Sequence, residues 1–230
     1  MKKLLLTTSI LFFLTSISCN KNDEDIFSTP IVANETTETN SEITFTTIQI
    51  SGKVVAATEN TISSRGVCWS KNPNPTINDS QIKVETNTFT VKIEDLIVNT
   101  NYYYRIFAIT PNGVIYSNTS SFTTLSFENT NWIFSTYYPV SQYSTGTTIE
   151  SNVNFYDDGT TKFDEIGVGQ GYFITYGSWY LNGNELTYIW EGDLSSPLSY
   201  KYTGTLSGMT MQGTYNATSF PDGTWHAVLF

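Results

Sequence analysis

The stretch Tyr202-Thr203-Gly204-Thr205-Leu206-Ser207-Gly208-Met209-Thr210-Met211-Gln212-Gly213-Thr214-Tyr215 decides how the C-terminal half of this chain is read. Large apolar side chains recur at every second position on both sides of Ser207-Gly208. That period of two belongs to an extended strand, whose successive side chains point to opposite faces. A glycine between two such runs marks a tight hairpin. The same signature recurs at Asp158-Gly159, Asn182-Gly183-Asn184 and Asp222-Gly223. Sequential hairpins make a meander, with strands expected at 132–137, 147–156, 160–165, 172–181, 185–191, 198–206, 209–215 and 224–230. Closing about eight such strands on themselves removes the exposed edges, so an antiparallel up-and-down β-barrel over residues 126–230 is the economical architecture.

Residues 29–125 alternate in the same way and show no sustained helical period. Strands are expected at 31–34, 44–55, 64–70, 81–85, 88–94, 102–110 and 114–123. Turn clusters such as Asn72-Pro73-Asn74-Pro75 and Pro111-Asn112-Gly113 separate them. Seven short strands in this length predict a β-sandwich. The chain is therefore expected to be all-β, a sandwich followed by a barrel.

Charge supports the division. Residues 28–125 carry 6 basic and 8 acidic side chains, and residues 126–230 carry 2 basic and 10 acidic. The whole chain of 230 residues has a formal net charge of −10. An acidic surface lacks the clustered Lys and Arg that nucleic acid requires. One His and two Cys leave no multi-His or paired-Cys metal site, so no cofactor is expected.

The N-terminus reads as an export signal, residues 1–18. Lys2 and Lys3 precede an apolar run from Leu4 to Leu14, and mainly small residues lead to Cys19. Eleven residues are too few for a bilayer span, which takes about 20. Ser16 and Ser18 before Cys19 resemble a bacterial lipobox, with Ser16 where that motif usually has Leu. The resemblance implies cleavage before Cys19 and acylation of its thiol; an ordinary secretory signal cut nearby is the rival. Residues 19–28 then form a polar acidic tether. Lys21 followed by Asp23-Glu24-Asp25 resembles the signal that sends lipoproteins of some Gram-negative bacteria to the outer face of the outer membrane. The periplasmic face is the alternative.

Leu96, Thr100 and Tyr102 match the Leu-x-Pro-x-Thr-x-Tyr pattern of fibronectin type III domains, with Val98 in the Pro position. Arg65 to Ser70 and Tyr116 to Thr124 also resemble fibronectin type III-like modules of bacterial surface lipoproteins. This resemblance implies that Tyr102 buries its ring and returns its hydroxyl to the backbone. It also implies a spacer or interaction scaffold. The Tyr202–Tyr215 run, with Asp222-Gly223-Thr224-Trp225-His226-Ala227, resembles the closing strands of lipocalin-like domains. Trp132 would then plug the closed end, with Thr130 where a Gly is usual.

Residues 126–230 hold 22 aromatic residues. The candidate lumen set is Tyr188, Trp190, Tyr200, Tyr202, Met209, Met211 and Trp225. Such side chains grip apolar bodies or sugar rings, and they also fill a small barrel outright. Two functions follow. Either a lipid-anchored surface protein binds a small apolar ligand or glycan in its barrel, or the barrel is solid and the protein works through structural and protein contacts.

An enzyme is not expected. Asp157-Asp158-Gly159 reads as a turn, and Asp164-Glu165 fall on opposite faces of a strand or in its loop rather than forming a carboxylate pair. Cys68 has no neighbouring base in sequence, and reads as a small buried residue. His226 alternates to the face opposite the apolar set.

Overall fold

The computed structural model describes residues 31–34, 42–55, 62–141, 144–166, 174–191, 199–217 and 220–230. Among these the chain forms sixteen β-strands and no helix.

The first eight strands make two sheets. β1 (Ile31–Asn34), β2 (Ile48–Val55) and β5 (Thr88–Ile93) pair in the order β1-β2-β5. β4 (Ser80–Val84), β3 (Ser64–Ser70), β6 (Asn101–Thr110) and β7 (Gly113–Tyr116) form the second sheet, and β8 (Ser120–Thr123) also pairs with β6. All of these pairs are antiparallel. The inward residues Ile48, Ile50, Ile93, Val67, Ile106 and Phe122 come from both sheets and share one apolar cluster. Alternation produced this directly, since β2 reads buried at every second residue.

Two boundaries differ from the sequence expectation. The strand expected over 114–123 is two pieces, β7 and β8. Ser117 interrupts it, its Oγ accepting the Ile106 amide at 2.9 Å and donating to Asn118 O at 2.9 Å. The strand expected from Thr44 starts at Ile48. Threonine hydroxyls compete with the ladder for backbone groups: the Thr47 amide donates to Thr44 Oγ1 at 2.9 Å, and the Thr44 amide to Thr47 O at 2.9 Å. The resulting knuckle turns Phe45 away from the sandwich cluster.

The second half is a closed antiparallel barrel of eight strands. They are β9 (Thr130–Ser141), β10 (Ser144–Phe155), β11 (Thr160–Glu165), β12 (Ile174–Asn182), β13 (Glu185–Glu191), β14 (Ser199–Ser207), β15 (Thr210–Ala217) and β16 (Phe220–Leu229). Each pairs with the next, and β16 closes on β9 from Thr224↔Tyr137 to Leu229↔Trp132. Glycine at positive φ makes three of the tight turns: Gly159 at 78°, Gly183 at 63° and Gly208 at 62°. β9 and β10 run further than expected, through Pro139 and Gly146. Their register passes from Val140↔Thr145 to Tyr138↔Thr147 and so skips both residues. Proline cannot donate to a ladder, and this skip accommodates it.

Inside the barrel, Gly204 pairs with Gly213, and Gly213 with Trp225. A Cβ at Gly204 would come within 2.5 Å of the Trp225 ring, and one at Gly213 within 1.9 Å of Thr203 O. Bare Gly204 leaves the room that the indole fills, and bare Gly213 lets its strand approach the Thr203-Gly204 backbone.

Candidate functional site

The barrel interior follows from the inward-facing positions of each strand. Phe134 stacks on Trp225 with centroids 4.8 Å apart, and lies 6.1 Å from Tyr188 and 6.3 Å from Tyr202. Tyr188 and Tyr202 stack at 5.2 Å. Phe155 is 5.8 Å from Tyr188. These rings come from β9, β10, β13, β14 and β16, so they touch across the barrel. Toward the far rim Tyr138 lies 5.4 Å from Tyr215, and Trp190 4.7 Å from Tyr200. Such pairs contribute about 0.5–1.5 kcal/mol each beyond area burial.

Six of the seven candidate lumen residues point inward. Tyr188, Tyr200, Tyr202, Met211 and Trp225 are buried, and Trp190 is partly buried against them. Met209 does not join them: it stands in the Gly208-Met209 turn at 36 % exposure. The turn falls at Gly208-Met209 rather than at Ser207-Gly208, so β15 starts at Thr210 and its first inward residue is Met211.

The lumen also holds polar groups. Trp190 Nε1 donates to Thr175 Oγ1, and Tyr138 Oη lies 3.4 Å from Tyr202 Oη. Tyr188 Oη, Thr136 Oγ1 and Thr161 Oγ1 are buried and meet no partner at ordinary hydrogen-bond geometry among the described residues, although Thr161 interacts with Tyr188 and Thr136 with Tyr202. Burial pushes the ionisation of Tyr188, Tyr202 and Tyr215 well above that of an ordinary phenol, and raises that of Tyr138 and Tyr200 as well.

The foot of the barrel is closed by three rings. Trp132 is fully buried; Phe127 lies 5.5 Å from it and Phe45, from the first domain, 5.6 Å. The Trp132 indole N–H donates to Thr130 Oγ1 at 2.9 Å, which in turn donates to Phe127 O at 2.6 Å. Thus Thr130 fixes the Trp132 ring against Phe127. Two hairpin turns dock on the first domain: Asn184 Nδ2 donates to Leu96 O at 2.8 Å, and the Gly208 amide to Thr46 Oγ1 at 2.7 Å.

Beside this junction lies a cleft of about 270 Å³. Val98, Phe127, Trp179 and Leu181 supply apolar surface, with Tyr180, Glu128 and Asp157 also lining it. Sequence reasoning missed it, because its walls come from both halves and no single stretch carries the pattern. A second, wider depression of about 510 Å³ lies on the outer wall, lined by His226, Gln212, Ser135, Tyr137, Thr214 and Thr224 among others. His226 is exposed there, on the face opposite the core.

The remaining candidates take structural places. Asp158 Oδ1 accepts from the Thr160 hydroxyl at 2.6 Å and the Thr160 amide at 2.9 Å, so it fixes the β10–β11 turn. Those bonds hold its carboxyl below the usual carboxylate range. Asp164 and Glu165 are consecutive on β11 and point to opposite faces. Cys68 is fully buried, its thiol donating to Pro75 O at 3.5 Å, and burial pushes that thiol up to about 11. No group of three or more His, Cys, Asp or Glu among the described residues could hold a metal ion. Cys19 and the tether lie outside the described residues. Comparison with protein-family models, curated proteins and solved structures returns no match.

Proposed function

We propose that this chain is an exported, lipid-anchored display protein whose barrel is filled by its own side chains and whose partners dock on its outside. Cys19 carries the anchor, a fibronectin type III-like sandwich is the spacer, and a lipocalin-like barrel is the presented module at the outer face of an outer membrane. The aromatic chain across the lumen, centred on Phe134, carries this reading. Its rings lie in contact with one another, so a guest the size of a lipid or sugar would have to displace them.

Further support comes from each half. The Ile97 amide donates to Tyr102 Oη at 3.0 Å, the hydroxyl-to-backbone bond of a tyrosine corner. The sheets β1-β2-β5 and β4-β3-β6-β7 have a strand order suited to a fibronectin type III-like sandwich. The eight-strand meander with a tryptophan at its foot suits a lipocalin-like barrel. The anchor rests on the Ser16-Ile17-Ser18-Cys19 sequence. Several acyl chains hold firmly where one would not, at about 0.8 kcal/mol per buried CH₂.

Two experiments test the reading. Native mass spectrometry of the full chain purified from its membrane should show the protein and its acyl chains alone; a co-purifying lipid or sugar lost on denaturation would overturn the filled barrel. Cys19→Ala should release the protein from membranes, and continued membrane association would overturn the anchor.

A further inference from the structure

We infer that the cleft at the domain junction is a receptor for one arginine side chain of a partner protein. This deepens the reading that partners dock outside the barrel, and rests on it. Three observations lead to the assignment.

The first is shape. Binding sites are concave and favour domain interfaces, and those for whole small molecules run from about 300 to 1,000 Å³. At about 270 Å³ and open on its outer side, this cleft suits a single side chain delivered from outside.

The second is the wall. Phe127 and Trp179 lie 5.2 Å apart, and Val98 and Leu181 line the same space. The Trp179 indole N–H already donates to Tyr156 O at 2.9 Å. What the indole offers a guest is therefore ring surface, which attracts a guanidinium more strongly than it does a neutral group. Tyr180, next on β12 and so on its outer face, is 55 % exposed and lines the rim of the cleft.

The third is charge. Glu128 and Asp157 line the cleft, while no Lys or Arg does. Asp157 stands in the turn that the Asp158 side chain fixes, Glu128 Oε2 accepts from Ser126 Oγ at 3.4 Å, and both carboxylates are exposed. The barrel half carries 10 acidic and 2 basic residues, a field that draws a cation toward it. An arginine joins the requirements: an apolar stem for the wall, a planar cation for the rings, and a fork of donors for the carboxylates.

The test uses the full-length chain in detergent and a short capped peptide containing one arginine, followed by isothermal titration. An otherwise identical peptide with citrulline supplies the same shape without charge. The arginine peptide should bind and weaken with added salt. Glu128→Gln with Asp157→Asn should weaken it about tenfold, as should Tyr180→Ala, with thermal unfolding unchanged because all three residues are exposed. Equal binding of the citrulline peptide, or arginine binding indifferent to these substitutions, would overturn the assignment. Failure of the parent reading is separately visible, as a lumen-bound lipid or sugar retained by wild type and double variant alike.

Discussion

The phenyl ring of Phe45 and the indole of Trp132 lie 5.6 Å apart, centroid to centroid, although one belongs to the sandwich half and the other to the first strand of the barrel. Both are buried, at 1 % and 0 % exposure. Phe45, in the knuckle before β2, thus belongs to the core of the barrel and not to that of the sandwich. The two halves share part of one core, and each should lose stability when the other is removed.

Phe45→Ala is expected to cost about 3–5 kcal/mol, the range for emptying a buried phenylalanine site. Urea denaturation followed by tryptophan fluorescence reads it out. In wild type a single transition is expected, because the junction couples the halves. Two resolved transitions in wild type, or an unchanged midpoint in the variant, would contradict the shared core.

Tyr102→Phe keeps the ring stacked on Phe122 at 5.6 Å but removes the oxygen that accepts the Ile97 amide. Leaving that partly buried donor unpaired should cost about 1–3 kcal/mol. Chemical denaturation measures the difference, and an amide exchange rate at Ile97 equal to wild type would show that another acceptor had replaced the hydroxyl.

Tyr188→Phe should act in the opposite direction. Its hydroxyl is fully buried, meets no partner at ordinary hydrogen-bond geometry among the described residues and has the Thr161 hydroxyl nearby, so deleting it removes more desolvation cost than interaction and should raise stability by about 1 kcal/mol. Destabilisation of the same size would mean that the hydroxyl is engaged, which would favour an occupied lumen.

Stability should fall at high pH. An ordinary thiol ionises near 9, whereas Cys68 is held up to about 11 by burial. Tyr188, Tyr202 and Tyr215 are likewise held above the ordinary phenol value of 10. Above those ordinary values the unfolded chain has released protons that the folded chain retains, so increasing pH favours unfolding. The full contribution is present below about pH 9, and the Cys68 part is lost between about 9 and 11. The phenolate absorbance of Tyr188, Tyr202 and Tyr215 should therefore appear only together with unfolding, followed in parallel by near-ultraviolet circular dichroism. Reversible titration of every tyrosine in one stage with the fold intact would contradict this.

The barrel was legible because Asp158-Gly159, Asn182-Gly183-Asn184 and Ser207-Gly208 announce turns locally, and because alternation assigns faces without knowledge of the partner strand. The tyrosine corner was legible through a motif. Phe45 was not: Ile43-Thr44-Phe45-Thr46-Thr47 alternates like a strand, and only the hydroxyl bonds of Thr44 and Thr47 bend it toward the barrel. The cleft escaped notice for a related reason. Val98, Phe127, Asp157 and Trp179 are brought together by domain docking, which leaves no periodic trace in any one segment. Met209 shows the limit of alternation at a turn: it shares the parity of Met211, yet a turn placed one residue later than expected takes it out of the strand.

The turns at Asn184 and Gly208 do more than reverse the chain. By bonding to Leu96 and Thr46 while Phe45 occupies the barrel foot, they replace a hinge with a three-point mount. A pull at the barrel would pass through this mount to the sandwich as tension, with little bending at the joint. Under the proposed function, the orientation of a partner docked beside the junction would be set by the sandwich, which would make it an aiming device as well as a stalk.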